Sequence, residues 1–255
     1  VTVPTTADTI DEANETYTLT VGAASGTGTI NDDDAAPTIQ GVTSATQVEG
    51  TALVHTVTLT NASSSSTSFA YTLGGGSATS GTDYTNPPTF SNGVTLVAGN
   101  LIVPAGVTSF TVTVPTTLDT IDEGASENYN LSVGGVAATG TITDDDNAPS
   151  IASVSSANAV EATSIVHTVT LSNASSSNTS YTLSLADVSA TGGGTDYTST
   201  LTNAAFSNGV TIAAGIITVP AGVTSFTVTV PTTLVTVAEA NETYTLTVGA
   251  ASGTG

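Results

Sequence analysis

In Thr108-Ser109-Phe110-Thr111-Val112-Thr113-Val114, entered through the turn Pro104-Ala105-Gly106 and left at Pro115, apolar residues alternate with Thr and Ser. Successive side chains of a strand point to opposite faces, so this run predicts a strand with Phe110, Val112 and Val114 buried and the threonines outward. The same alternation runs outward in both directions. It is found in residues 51–60, 69–73, 100–103, 128–133 and 138–143. Polar or Gly-rich stretches separate them, such as Asn61-Ala62-Ser63-Ser64-Ser65-Ser66 and residues 74–83. Ser91-Asn92-Gly93-Val94 predicts a tight hairpin turn, since Asn and Gly both tolerate positive φ. No segment has a helical period. Seven or more short strands in about 110 residues indicate an all-β fold, an antiparallel Greek-key β-sandwich of immunoglobulin type.

The sandwich is repeated. Glu161 matches Glu49, His167 matches His55, Asp196-Tyr197 matches Asp83-Tyr84, and Pro220-Ala221-Gly222 repeats the turn. The acidic triplet Asp144-Asp145-Asp146 recurs 112 residues from Asp32-Asp33-Asp34 (144 minus 32), each time between a strand and a proline. The division expected is residues 1–34 as the closing strands of a preceding or strand-exchanged repeat, 37–146 as a complete sandwich, and 149–255 as a second one lacking its last strand. Residues 1–28 match 228–255 at an offset of 227 (228 minus 1). Two expectations follow: a window of a longer repetitive protein, or neighbouring chains that complete each other by strand donation. Tandem sandwiches make a rod.

With 21 acidic residues and no Lys or Arg among 255, the formal charge is -21. Nucleic-acid binding is excluded on that ground, because its affinity rests on cations that neutralise phosphates. Anionic membrane surfaces are disfavoured for the same reason, and no apolar run approaches the roughly 20 residues of a spanning helix. Cys is absent, so there is no disulfide framework or thiol chemistry. No motif joins a nucleophile to a base and oxyanion donors, so the chain is not expected to be an enzyme. His55 and His167 share strand faces with Val57 and Leu59, or Val169 and Leu171, and are expected as inward or edge histidines with one hydrogen-bond partner. Tyr84 and Tyr197 are expected to pack the loops that carry them.

Alternate loops of a sandwich gather at one pole. Glu49, Asp83, Asp119, Glu123 and Asp144, Asp145 and Asp146 are therefore candidates for one cation site, with Asp8, Glu12, Asp32, Asp33 and Asp34 as the upstream copy. Carboxylates and loop carbonyls suit Ca²⁺, which takes 6 to 8 oxygens in loose geometry. Softer metals want Cys or His.

Val48-Glu49-Gly50, Gly81-Thr82-Asp83-Tyr84, the run from Val103 to Pro115, Asp122-Glu123-Gly124, Glu127-Asn128-Tyr129 and Thr141-Ile142-Thr143-Asp144-Asp145-Asp146 together resemble the Calx-beta domain, in order and across the whole repeat. The resemblance implies calcium-binding sandwiches of the kind strung through large bacterial surface adhesins. It places ligands at Glu49, Asp83, Asp119, Glu123 and Asp144 to Asp146, and in the second repeat at Glu161, Asp196 and Glu239. There Val235 replaces Asp119 and Val237-Ala238 replaces Ile121-Asp122, so the second site is expected to be weaker. The function implied is a calcium-stiffened extender of a secreted or cell-surface adhesin or extracellular filament. Its partners would be neighbouring repeats or copies of itself, with any host or surface ligand elsewhere in the full protein. The alternatives are a filament subunit joined by strand donation and a glycan- or partner-binding module.

Overall fold

The computed structural model describes residues 1–124 and 126–255. They form two compact units, Val1–Asp119 with Ser126–Thr143, and Thr120–Ala125 with Asp144–Gly255. Apart from one short 3-10 turn at Asn203–Ala205, the regular structure among the described residues is β.

In the first unit a six-stranded sheet runs in the order Thr95–Val97, Asn100–Val103, Thr67–Gly74, Glu127–Val133, Val136–Thr143, Ala45–Val48. A four-stranded sheet runs Ile39–Val42, Leu53–Leu59, Ser109–Val114, Thr89–Phe90. The alternation places the core as expected: Phe110, Val112 and Val114 are almost wholly buried, opposite Val57, His55 and Leu53 in register. Burying each such apolar side chain contributes about 1.5–3 kcal/mol. The second unit repeats this with a five-stranded and a three-stranded sheet, and its core includes Ile217, Val228, Val230 and Leu246.

Two local expectations are corrected. Asn92 and Gly93 do adopt positive φ (54° and 74°), but they do not close a hairpin. Thr89–Phe90 pairs with Ser109–Val114 in one sheet, whereas Thr95–Val97 pairs with Asn100–Val103 in the other. The turn is where the chain changes sheets, pinned by Asn92 Nδ2 donating to Ser109 O at 2.7 Å. The hairpin turns at Ala98-Gly99, with φ of 48° and 80°. The second correction is that not every pair is antiparallel: Ala45–Val48 lies parallel to Val136–Thr143.

The histidines face inward, each with two partners rather than one. His55 Nδ1 lies 2.7 Å from Thr43 O and Nε2 lies 2.9 Å from Tyr129 Oη. A carbonyl only accepts, so Nδ1–H donates to it and Nε2 accepts from the phenol. His167 repeats this with Ser155 O and Tyr244 Oη.

Residues 1–34 carry a short strand, Ile10–Asp11, and an antiparallel hairpin of Glu15–Val21 with Ala24–Ile30. Every residue of Glu15–Val21 is exposed, and among the described residues the hairpin pairs only with itself.

Candidate metal centres

Glu49 stands at the end of the parallel strand Ala45–Val48, where its N–H donates to Thr143 O at 3.0 Å. That pairing holds a carboxylate in a buried position, 5% exposed. Its Oε1 accepts from the Asp119 N–H at 3.2 Å, and one carboxylate oxygen of Glu49 lies within 4.8 Å of one of Asp119.

Asp83 ends the Gly-rich loop. Its Oδ2 accepts from the Thr79 N–H and its carbonyl from the Thr117 N–H, so the loop is folded around the side chain. Tyr84 is buried beneath it against Tyr129, ring centroids 4.8 Å apart. A Glu127 carboxylate oxygen lies within 4.8 Å of one of Asp83.

In the second unit Asp196 repeats this geometry, with Oδ2 2.6 Å from Thr191 N and O accepting from Thr233 N. Tyr197 stacks on Tyr244 at 4.5 Å. Asp196, Glu239 and Glu242 offer carboxylate oxygens that all lie within 4.8 Å of one another. Local desolvation and the charges of Asp196, Glu239 and Glu161 hold the Glu242 carboxyl above its usual range. Glu161 Oε2 accepts from the Val235 N–H at 3.2 Å, the contact that Glu49 makes to Asp119. Here a valine stands where the first repeat has a carboxylate.

Asp144 is used as a local brace. Its Oδ2 accepts from the Glu123 and Gly124 N–H groups, both at 3.1 Å, and its Oδ1 from Asp146 N. Asp145 points to solvent. The upstream triplet repeats the pattern: Asp32 Oδ2 accepts from Glu12 N and Oδ1 from Asp34 N. Desolvation raises the carboxyl groups of Glu12 and Asp34, helped by Asp8 and Glu15 in the first case and by Asp33 and Asp32 in the second. Asp33 is exposed. Among the described residues, Asp8, Glu12 and Asp32 to Asp34 form no three-carboxylate group of the kind seen around Asp196.

Glu127 and Glu242 were not among the expected ligands. A signal was present for Glu127, which lies two residues before the buried Tyr129 in one strand and so on the same face; Glu242 stands two residues before Tyr244, ahead of the strand that Tyr244 opens. The donor set suits one class of ion. Oxygens bound to one Ca²⁺ at roughly 2.4 Å can be at most about 4.8 Å apart, and these carboxylates meet that limit before any ion is placed. Both imidazoles are committed to the core, so no nitrogen donor competes.

The Calx-beta domain family model matches residues 31–154 and 144–254. Among solved structures, the calcium binding domain CBD12 of CALX1.1 is 14% identical over 84% of this chain and 80% of its own, at a TM-score of 0.34. The I9-I11 tandem from titin is 14% identical over 95% of this chain and 72% of its own, at 0.21. At those scores the structural likenesses add nothing to the family match. A search among curated proteins gave no match.

Proposed function

The chain belongs to the Calx-beta domain family, and from that premise we propose that it is a calcium-stiffened extender segment of a secreted, surface-anchored adhesin or extracellular filament. The observation that carries this reading is the gathering of carboxylates in a chain with no Lys or Arg to offset them. Glu49 with Asp119 and Asp83 with Glu127 would hold Ca²⁺ in the first unit; Asp196, Glu239 and Glu242 would hold it in the second. The ion supplies positive charge that the sequence lacks. The protein's part is to hold those oxygens on loops already folded by Asp83 and Asp196, so that little order remains to be gained on binding. The role is mechanical rather than catalytic, as the family is a structural one. Absence of Lys and Arg also removes every site for proteases of tryptic specificity.

Millimolar Ca²⁺ is expected to raise the melting temperature by several degrees or more, and a chelator to reverse the rise. Binding to the folded state alone stabilises by about 2.7 kcal/mol at a hundred times Kd. An unchanged melting curve would overturn the calcium reading.

A second reading, strand donation between copies, is favoured by one observation. Residues 13–28 and 240–255 are identical, yet Tyr244, Leu246 and Val248 are buried in the second unit while Tyr17, Leu19 and Val21 are exposed. The upstream hairpin therefore carries the apolar face that fits the seat of its twin. Light scattering across a concentration series tests this. Oligomers that grow with concentration support exchange, and a constant mass near 24.9 kDa overturns it.

A further inference from the structure

Near its entry and at its exit, the chain of the first sandwich runs in two strands that lie side by side and point the same way. Ala45–Val48 pairs in parallel with residues 140–143, Ala45 facing Gly140 and Val48 facing Thr143. The backbone makes most of this seam. Glu49 N–H extends it onto Thr143 O at 3.0 Å, Thr143 Oγ1 donates to Gln47 O at 3.1 Å, and Thr139 N–H donates to Ser44 Oγ at 3.1 Å. In the second unit Ala157, the twin of Ala45, donates its N–H to Thr254 O at 3.0 Å. A strand presents alternate N–H groups to one neighbour, so Ala45, Gln47 and Glu49 turn theirs across the seam while Thr46 and Val48 turn theirs away. Ala45–Val48 is an edge strand, and Thr46, Gln47 and Val48 are exposed. Little apolar burial holds it in place.

The direction of the two strands decides how the seam takes a load. Tension on the chain pulls Ala45–Val48 toward its N-terminus and Val136–Thr143 toward its C-terminus. In a parallel pair these are opposite directions along one axis, so every bond across the seam is sheared at once. The hairpin of Glu15–Val21 with Ala24–Ile30 is the opposite case. Its ends, Glu15 and Ile30, face each other, so tension on them parts one pair at a time. Ile39–Val42 meets the load before the seam does, but its pairing with Leu53–Leu59 is broken by a register shift between Ile39 and Gly41. The seam is the first continuous barrier. We propose that the parallel pairing of Ala45–Val48 with residues 140–143 is a shear clamp that sets the force at which the first sandwich yields, a load-bearing function for a chain pulled along its length. The use of the clamp rests on the extender reading above, whereas the clamp itself needs neither that reading nor calcium.

The test is single-molecule pulling of the 255-residue chain in a chelator. The chain has no Cys of its own, so pulling handles can be attached at introduced ones. Ala36→Cys with Ala148→Cys loads the seam in shear. Thr51→Cys with Ala148→Cys pulls from the end where Val48 meets Thr143 and peels it. None of these residues is a candidate ligand. At one constant load, unfolding is expected to be at least about tenfold slower in shear than in peel. Adding Gln47→Pro to the shear pair removes a donor from the seam and should speed unfolding about tenfold, the factor that one backbone hydrogen bond contributes. Thr46→Pro, on the outer side of an edge strand, should change it less than about twofold. Equal rates in the two geometries would overturn the clamp, and so would a Thr46→Pro effect as large as that of Gln47→Pro. Should Gln47→Pro fail to fold, the two geometries decide alone. A shear-resistant unit whose melting ignores Ca²⁺ would leave the clamp standing and sink the calcium reading, whereas equal rates beside a normal Ca²⁺ response would do the reverse.

Discussion

Residues 13–28 and 240–255 are the same sixteen amino acids in two surroundings. Both make a hairpin in one register: Leu19 faces Gly26 as Leu246 faces Gly253. Yet Leu19 is 37% exposed and Leu246 is 0%. Alternation and turn residues therefore specify the hairpin, and only packing on the rest of a sandwich decides whether its apolar face is inside. Tyr17 and Tyr244 show the same contrast, since Tyr244 holds His167 and stacks on Tyr197.

Substitutions made at twin positions should separate what is local from what is tertiary. The largest difference is expected at the glycines. A Cβ on Gly253 would stand 2.4 Å from Ser155 O, a backbone atom that cannot turn away, whereas one on Gly26 would meet nothing within 4 Å. Gly253→Ala should destabilise the second unit by about 3 kcal/mol, in the upper part of the range for overpacking. Gly26→Ala should leave thermal unfolding within about 0.5 kcal/mol of wild type. Equal effects would mean the hairpin at residues 15–30 is packed in solution.

Next in size is the buried hydrogen bond. Tyr244→Phe leaves His167 Nε2 without its donor and should cost about 1–3 kcal/mol, measured by denaturant unfolding. Tyr17→Phe should cost almost nothing.

Acid should then act oppositely on core and acidic pole. Burial holds the His55 imidazole below its ordinary value despite its bond to Thr43. The unfolded chain takes up that proton first, so stability present above about 6.5 is lost as pH falls toward the folded-state value. The raised carboxyl of Glu242 works the other way. The folded chain takes up this proton first, so metal-free stability is gained as pH falls from neutral through the folded-state value and levels off below about 4.5.

The smallest effect follows from that. Glu242→Gln should raise the metal-free melting temperature slightly and reduce the rise produced by Ca²⁺. Its twin Glu15→Gln should change both less. An equal response at the two positions would count against the acidic group around Asp196.

Much of this architecture was legible beforehand. The inward positions Phe110, Val112 and Val114, the inward histidines, and the sandwich class all follow from period-two patterning. The packed tyrosines beneath Asp83 and Asp196 were legible too, as large apolar bodies next to a folded loop. The parallel placement of Ala45–Val48 was not, because Ala45-Thr46-Gln47-Val48 has no alternation to mark it as a strand, and so short a run does not state which edge it joins. Nor was the change of sheet at Asn92-Gly93, since positive φ makes a turn without naming the strands it connects.

By itself the sequence determined that the chain alternates, repeats and lacks cations, and hence that it is β-rich, tandem and in need of charge compensation. Tertiary structure decided which acids meet. Glu127 meets Asp83 from within a strand and Glu242 meets Asp196 from the segment just before one, and Val235 offers Glu161 an N–H where Asp119 also offers a carboxylate. The reason is physical: the period of a strand is local, whereas a cation site needs oxygens a few ångströms apart from loops tens of residues distant.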